Sequence, residues 1–369
     1  MPIFMDRHDL SDAVTAEKIA QLHQEDLKIQ DEFDCRGLTY WFDNMRKIAF
    51  CLIEAPDENA IRKMHDKAHG SVPHSVIKVD PSIVESFLGR IEDPEKAKNT
   101  ELNIINDPAF RIIMVISLNR ILLVQKDSAP FIASMLKYNN SVRDLLKIYL
   151  GTPVKQNESQ FLISFKSVSN AVRAALDIQA LFKDLKHEIN SDEINQKIGL
   201  SSGAPVTEKK LIFEDTIKLA ERMCIVAKDE IVVSSEVNDL YKSENSNAPI
   251  PGKKIMVLTP DDEKFLTHFM EYIESSWSNS NLKVDDFSKP MGCSKSQLYR
   301  KMILLTGQSP NTFIKDYRLA EALRLLNKNS GNISEIAFET GFTSPSYFSK
   351  CFQKRYGHLP SDYLPSRYA

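Results

Sequence analysis

The sequence predicts a multidomain chain: an α+β domain, then an α/β domain, then an all-α domain. Three patterns predict it. Strand-period and helix-period segments run in the order β-α-β-β-α-β over residues 1–80. Strands alternate with helices over 110–245, and from 262 to 369 every periodic segment is helical. Residues 81–109 read as a connector and 246–261 as a linker.

Length and composition agree. A chain of 369 residues fits two or three domains. Its 42% apolar and 26% charged content is that of an ordinary globular protein. The net charge of −3 averages over domains, so local charge has to be read instead. Cys35, Cys51, Cys224, Cys293 and Cys351 are an odd, scattered set without C-x-x-C, which suits a reducing compartment. The start, MPIFMDRHDL, has no basic segment followed by an apolar core, unlike a signal peptide. The most apolar stretch, RIIMVISLNRILLV, is broken by Asn119 and Arg120 and is too short to span a bilayer. A cytoplasmic protein without membrane contact is expected.

In the first domain MPIFMDRH, LTYW, KIAFCLIEA and SVIKVD have strand character. TAEKIAQLHQEDLKIQDEF and DENAIRKMHDKAH have helical periodicity. This order is that of a split βαβ, ferredoxin-like unit. Five of the eight histidines lie in the first 74 residues. His65 and His69, four apart on a helix, can face one ion; His23, with Asp26 three residues on, sits on the other helix, and His8 ends the first strand. His8, His23, His65 and His69 are therefore the candidate metal ligands. Imidazole with carboxylate suits nickel, zinc or copper, which the sequence does not rank. Two histidines at this spacing are more often plain polar residues, so spacing alone is weak.

In the middle domain FRIIMVIS, QFLISF, KIGLSSG and EIVVSS read as strands, separated by helices near 128–149, in VSNAVRAALDIQALFKDLKHEI, and before EIVVSS. KSENSNAPIPGKK is a Ser/Asn/Pro/Gly loop that closes it. Beyond it, Thr259 is placed to cap a helix that opens on Pro260 and acidic residues.

The last domain holds two helix-turn-helix patterns. One runs LKVDDFSKPMGCSKSQLYRKMILLTG, with Gly292 at the turn and Ser294 as a cap; the other runs NISEIAFETGFTSPSYFSKCFQKRYG, with Gly341 at the turn. Helical phase sets Leu298, Met302 and Leu305 inward and Ser296, Tyr299, Arg300 and Ile303 outward. It likewise sets Phe348 and Phe352 inward and Ser346, Ser349, Lys350 and Gln353 outward. Hydroxyls, amides and cations are what base edges and phosphates require. From Ser294 to Gly357 ten basic residues, Lys295 the first, stand against four acids, a net +6. A solvated basic face would look the same for either helix alone.

The whole pattern, SKSQLYRKMILLTGQSPNTFIKDYRLAEALRLL followed by ISEIAFETGFTSPSYFSKCFQKRYGHLPSDY, strongly resembles the AraC/XylS family of transcription regulators. The resemblance implies two helix-turn-helix units joined by a rigid helix and reading successive major-groove segments of promoter DNA. By position it implies base-facing roles for Ser296, Tyr299 and Arg300, and for Pro345, Ser346, Tyr347, Ser349 and Lys350. Lys295 and Gln353 complete the expected interface. Pro290 departs from the pattern and is expected to shorten the scaffold helix of the first unit.

Two further resemblances concern the upstream domains. MDRHDL, HQEDLKIQ and YWFDNMRKIAFCLIEAPDENAIRKMHDKAHG look like a small family of nickel-binding ferredoxin-like proteins, which implies nickel or another divalent transition metal. Segments between about 110 and 242 resemble the class III nucleotidyl cyclase homology domain through framework residues. That family's chemistry needs two aspartates for two metal ions. The matching positions are Ser117 and the Glu158-Ser159-Gln160 triplet, and the polar amide position is Lys218, although Arg222 matches the family's arginine. A serine is a poor ligand for a hard cation. No catalytic residue is expected, and the domain is expected to serve dimerisation or sensing. The expectation is a homodimeric DNA-binding regulator; a metal-regulated cyclase and a metal-storage protein are the alternatives.

Overall fold

Six segments of the N-terminal domain alternate as their periodicity predicts. The computed structural model describes residues 1–94, 102–120, 129–157, 159–189, 194–226, 231–251, 255–328 and 330–363. β1 (Ile3–Asp9), α1 (Ala16–Ile29), β2 (Arg36–Asp43), β3 (Ile48–Glu54), α2 (Glu58–His69) and β4 (Ser75–Val79) come in that order. The sheet is antiparallel, in the order β2-β3-β1-β4 of a split βαβ unit. Thr15 caps α1 by accepting from the Lys18 amide, and Asp57 caps α2 by accepting from the Ala60 amide. Gly70, at φ 74°, ends α2 in the left-handed conformation.

Both faces of this sheet are covered. Tyr40, Phe42, Ala49, Cys51 and Ile53 pack under α1 and α2. Met5, Trp41, Phe50, Leu52 and Ile77 face the other way and share a core with Ile113, Val206 and Phe213 of the middle domain. That explains why residues 40–43 are buried without alternation. The connector expected over 81–109 contains a helix, α3 (Pro81–Leu88), capped by Asp80, whose Val84 and Phe87 fill the seam between the two domains. Proline at its start and a short apolar run hid it from the periodicity.

The middle domain comprises β5 (Arg111–Arg120), α4 (Ala129–Ile148), β6 (Thr152–Gln156), β7 (Gln160–Phe165), α5 (Val168–Ile189), β8 (Ile194–Gly203), α6 (Glu214–Val226), β9 (Ile231–Val233), α7 (Ser235–Glu244) and β10 (Ile255–Val257). Its sheet runs β10-β9-β8-β5-β7-β6 and is mixed: β5 is antiparallel to β7 and β8, whereas β8, β9 and β10 are parallel. α4, α5 and α7 cover one face, and α6 packs on the other. Gly199 of β8 is what lets α6 approach, because a Cβ there would lie 2.3 Å from the Ala220 carbonyl oxygen. The linker expected over 246–261 is corrected in the same way, since β10 within it joins the sheet as an edge strand. Three residues leave too short a pattern to register as a strand.

The C-terminal domain contains α8 (Pro260–Ser276), α9 (Lys295–Thr306), α10 (Pro310–Asn327), α11 (Ile333–Glu339) and α12 (Pro345–Tyr356). Thr259 and Asp262 cap α8 reciprocally, with Pro260 at its first position. Ahead of α9 only a four-residue 3-10 turn, Val284–Phe287, stands where a scaffold helix belongs. Pro290 in the following turn cannot donate a helical hydrogen bond, which keeps that segment short. Leu266, Phe269 and Met270 of α8 share a core with Met223 of α6 and Val232 of β9, so the domain is seated on the middle one.

Candidate metal centre and nucleic-acid interface

The layer between the N-terminal sheet and its two helices gathers the metal-binding residue types. Period-two alternation turns Asp6 and His8 of β1, and Cys51 of β3, toward that layer. Three- and four-residue spacings aim His23 and Asp26 of α1, and His65 and His69 of α2, into it from above. A cavity there is lined by His8, His23, Asp26, Cys51, His65 and His69.

Within it Asp26, His65 and His69 converge. His65 Nδ1 and His69 Nε2 lie 3.0 and 3.1 Å from Asp26 Oδ1, and 3.3 Å from each other. Neither nitrogen is aligned as a hydrogen bond to Oδ1, which is left buried without one. Buried polar atoms are nearly always satisfied, so this orphaned oxygen facing two ring nitrogens fits a shared cation. Ligands bound at about 2.1 Å stand about 3.0–3.4 Å apart in octahedral or tetrahedral sets, the spacing found here. His65 Nε2 meanwhile contacts Asp6 Oδ2 at 2.9 Å, the kind of outer partner that fixes a ligand's tautomer.

The same groups set one another's charge. Burial works against ionised Asp26, but His65 and His69 hold its carboxyl below the usual range. Burial also opposes charge on Asp6, and His8 and His65 overcome it, keeping that carboxyl far below its ordinary value. His65 is opposed by burial too, yet Asp26 and Asp6 raise it to about 10. Burial pushes the Cys51 thiol well up, and neighbouring Asp6 and Asp26 add to it.

Of the four predicted ligands, His65 and His69 meet at Asp26. His8 lies on the other side of the His65 ring, 4.9 Å between centroids. His23 borders the cavity but turns its Nε2 to Asp93 Oδ2, 3.2 Å away. Asp6 and Cys51 were not among the predicted ligands. The signal for Asp6 was its alternation with His8; Cys51 offered none, because its partners are 45 residues away in sequence.

On the C-terminal domain, Ser294 and Gln297 form a capping box at α9, and Ser344 caps α12. Leu298, Met302 and Leu305 are buried, as are Phe348 and Phe352. Ser296, Tyr299, Arg300 and Ile303 of α9 face solvent, as do Ser346, Tyr347, Lys350 and Gln353 of α12. Pro345 and Ser349 are half-buried, and the Ser349 hydroxyl donates to the Pro345 carbonyl at 3.0 Å. Lys295 is exposed but paired with Asp285 at 2.8 Å. Arg318 serves the frame: its guanidinium donates to the Trp277 and Asn279 carbonyls, and Gly341 packs against it. Gly341, at φ 78°, has no room for a Cβ beside that group.

In the middle domain Ser117 pairs with Gln160 across β5 and β7, and the Gln160 amide donates to Glu221 at 3.1 Å. Glu158 lies outside the described residues. Lys218 pairs with Glu214 on its own helix, whereas Arg222 reaches across to Glu274 and Glu271 of α8, at 3.3 and 3.8 Å.

Among known families, residues 287–366 match a helix-turn-helix domain and residues 4–79 match the nickel responsive SCO4226-like proteins. Histidine kinase P4 of Formosa agariphila is 38% identical over 122 residues, 33% of this chain and 9% of the kinase. The crystal structure of SCO4226 from Streptomyces coelicolor is 27% identical, covering 21% of this chain and 94% of that one, with a TM-score of 0.20. A transcriptional regulator with an AraC-type DNA-binding domain from Chromobacterium violaceum is 25% identical, covering 28% of this chain and 93% of that one, with a TM-score of 0.26. The chain spans 9%, 33% and 55% of the lengths of three curated relatives it matches. Among the described residues no helix is long and apolar enough to cross a membrane.

Proposed function

We propose, from a helix-turn-helix match over residues 287–366 and an SCO4226-like match over residues 4–79, that the chain is a sequence-specific DNA-binding transcription regulator of the AraC type that responds to a transition metal. The observation that carries the DNA-binding half is the pair of outward faces on α9 and α12, with Arg300 and Lys350 exposed at their centres. Arginine suits bidentate contact with guanine, and lysine suits phosphate. Ser296, Tyr299, Pro345, Ser346, Tyr347, Ser349 and Gln353 are the accompanying contacts, and Lys295 completes the interface.

The metal half of the proposal rests on Asp26, His65 and His69. Their nitrogen and oxygen donors suit nickel, zinc or copper, and nickel is favoured by the family of residues 4–79. A bound ion would supply a positive charge joining α1 to α2; the chain's own residues set its place, and Asp6 orients His65. His8 and His23 border this centre without reaching it.

In this reading the middle domain resembles a class III cyclase domain without its chemistry. Ser117 sits where an anionic ligand is needed, and Arg222 is drawn to α8. The domain transmits and assembles rather than catalyses, and homodimerisation in the cytoplasm belongs to the same proposal. Coupling requires metal to favour one of two states that differ in DNA affinity.

The test is anisotropy of labelled promoter DNA with the full chain, with nickel, with zinc and with chelator, at several salt concentrations. Tight, salt-sensitive binding that shifts at least fivefold on chelation is expected. Binding that ignores metal would remove the regulatory half. No salt-sensitive binding at all would remove the DNA-binding half and favour storage.

A further inference from the structure

Beyond the centre on Asp26, the N-terminal layer holds a second donor group. Asp6, His8 and Cys51 offer a carboxylate oxygen, an imidazole nitrogen and a sulfur within 4.8 Å of one another, all buried. His8 is only 6% exposed, yet its Nε2 makes no hydrogen bond; it stands 3.4 Å from Asp6 Oδ1 without alignment. A buried ring nitrogen without a hydrogen bond is costly unless something occupies its lone pair. The two strands hold the group rigidly. β1 and β3 are registered at Met5–Leu52 and His8–Ala49, and between these pairs the Cys51 amide donates to Asp6 Oδ1 at 2.9 Å.

We propose that Asp6, His8 and Cys51 form a second metal site, distinct from Asp26-His65-His69, that takes a thiophilic transition ion such as zinc(II), nickel(II) or cobalt(II). A sulfur, nitrogen and oxygen set excludes magnesium and calcium, which take oxygen ligands, and differs from the first centre in holding a thiolate. On binding, the Cys51 S–H bond breaks, a metal–sulfur bond forms and one proton passes to solvent.

The His65 ring separates the two sites. Its Nδ1 faces Asp26 and His69, and its Nε2 faces Asp6 Oδ2. An ion on Nδ1 leaves the ring's proton on Nε2, where it donates to Asp6 Oδ2 and leaves Oδ1 turned to His8. One ion would therefore bind the Nδ1 of His65 and the other would bind beyond the Asp6 carboxylate, so the two do not compete for a donor. The second site does not need the first to be filled.

The experiment is a cobalt(II) titration of the metal-free full chain under a phosphine reductant. It follows ions bound per chain and the near-ultraviolet band that cobalt shows only with a thiolate. Two ions and a thiolate band are expected. Cys51→Ser should keep one ion and lose the band. His8→Gln, which leaves the sulfur and the strand pairing, should weaken binding at the band-bearing site at least tenfold. Asp26→Asn with His69→Gln should lose the other ion and keep the band. One ion without a band overturns the second site and leaves the Asp26 centre standing; no ion at all overturns both. A band that survives Cys51→Ser assigns the thiolate elsewhere and also overturns the proposal.

Discussion

The two helix-turn-helix units rest on different supports. The first unit, which ends in α9, has no closed core. Phe269, Phe287, Leu298, Met302 and Phe313 form one cluster with Met223 and Val232 of the middle domain. The second closes on itself through Leu319, Ile336, Phe342, Phe348, Phe352 and Tyr356. Charge follows the same division. Lys295 and Lys301 of α9 are paired with Asp285 and Asp262, whereas no ion pair among the described residues engages Lys350, Lys354 or Arg355 of α12. A unit that shares its core can be displaced by what lies upstream, whereas a self-contained unit does not depend on the upstream packing. The proposed metal control is therefore expected to act through α8 and α9.

The largest expected effect would break this comparison outright. Phe352→Ala removes a fully buried ring that meets Phe348, Tyr356 and Tyr363, at a cost of about 3–5 kcal/mol. Hydrogen exchange should accelerate in α10 to α12 and leave the middle domain unchanged. Phe269→Ala should cost a similar amount but accelerate exchange in α6 and β9 as well. If both variants loosen the same amides, the units do not differ in support.

At the proposed DNA surface the effects are smaller. Arg300→Ala and Lys350→Ala should each weaken promoter binding by about 1–3 kcal/mol. The arginine change should also relax sequence preference at one position. The lysine change should weaken all sequences alike and lower the salt slope by about one. Anisotropy with matched and mutated promoters at several salt concentrations separates the two.

The smallest effect sharpens the comparison most. Arg222 is buried, but Glu271 and Glu274 are about half exposed, so the pairs across α6 and α8 are screened and contribute at most about 1 kcal/mol. Arg222→Ala should barely change melting. It should nevertheless reduce the difference in DNA affinity between metal-loaded and chelated protein, because it loosens the seat of the first unit alone. An unchanged metal response would move the route of coupling away from this contact.

Much of the helical architecture was legible because it is local. Leu298, Met302 and Phe348 point inward as their phase requires, and Thr259 and Ser294 cap where their side chains can reach the next free amides. The misses have separate causes. α3 lies in a seam between domains, β10 is too short to show a period, and Trp41 is buried on a face that only the neighbouring domain covers. The weakness of the first unit's scaffold was anticipated from Pro290, but its dependence on Met223 and Val232 was not.

The candidate metal centre divides along the same line. By itself the sequence determined that His65 and His69 share a helix face, since four residues make about one turn. It also determined that Asp6 and His8 share a strand face, since side chains alternate. Only the tertiary structure decided that His23 would turn to Asp93, that Asp26 would complete one donor group and that Cys51 would complete another. Those outcomes depend on how two helices lie across a sheet, and packing of residues distant in sequence sets that.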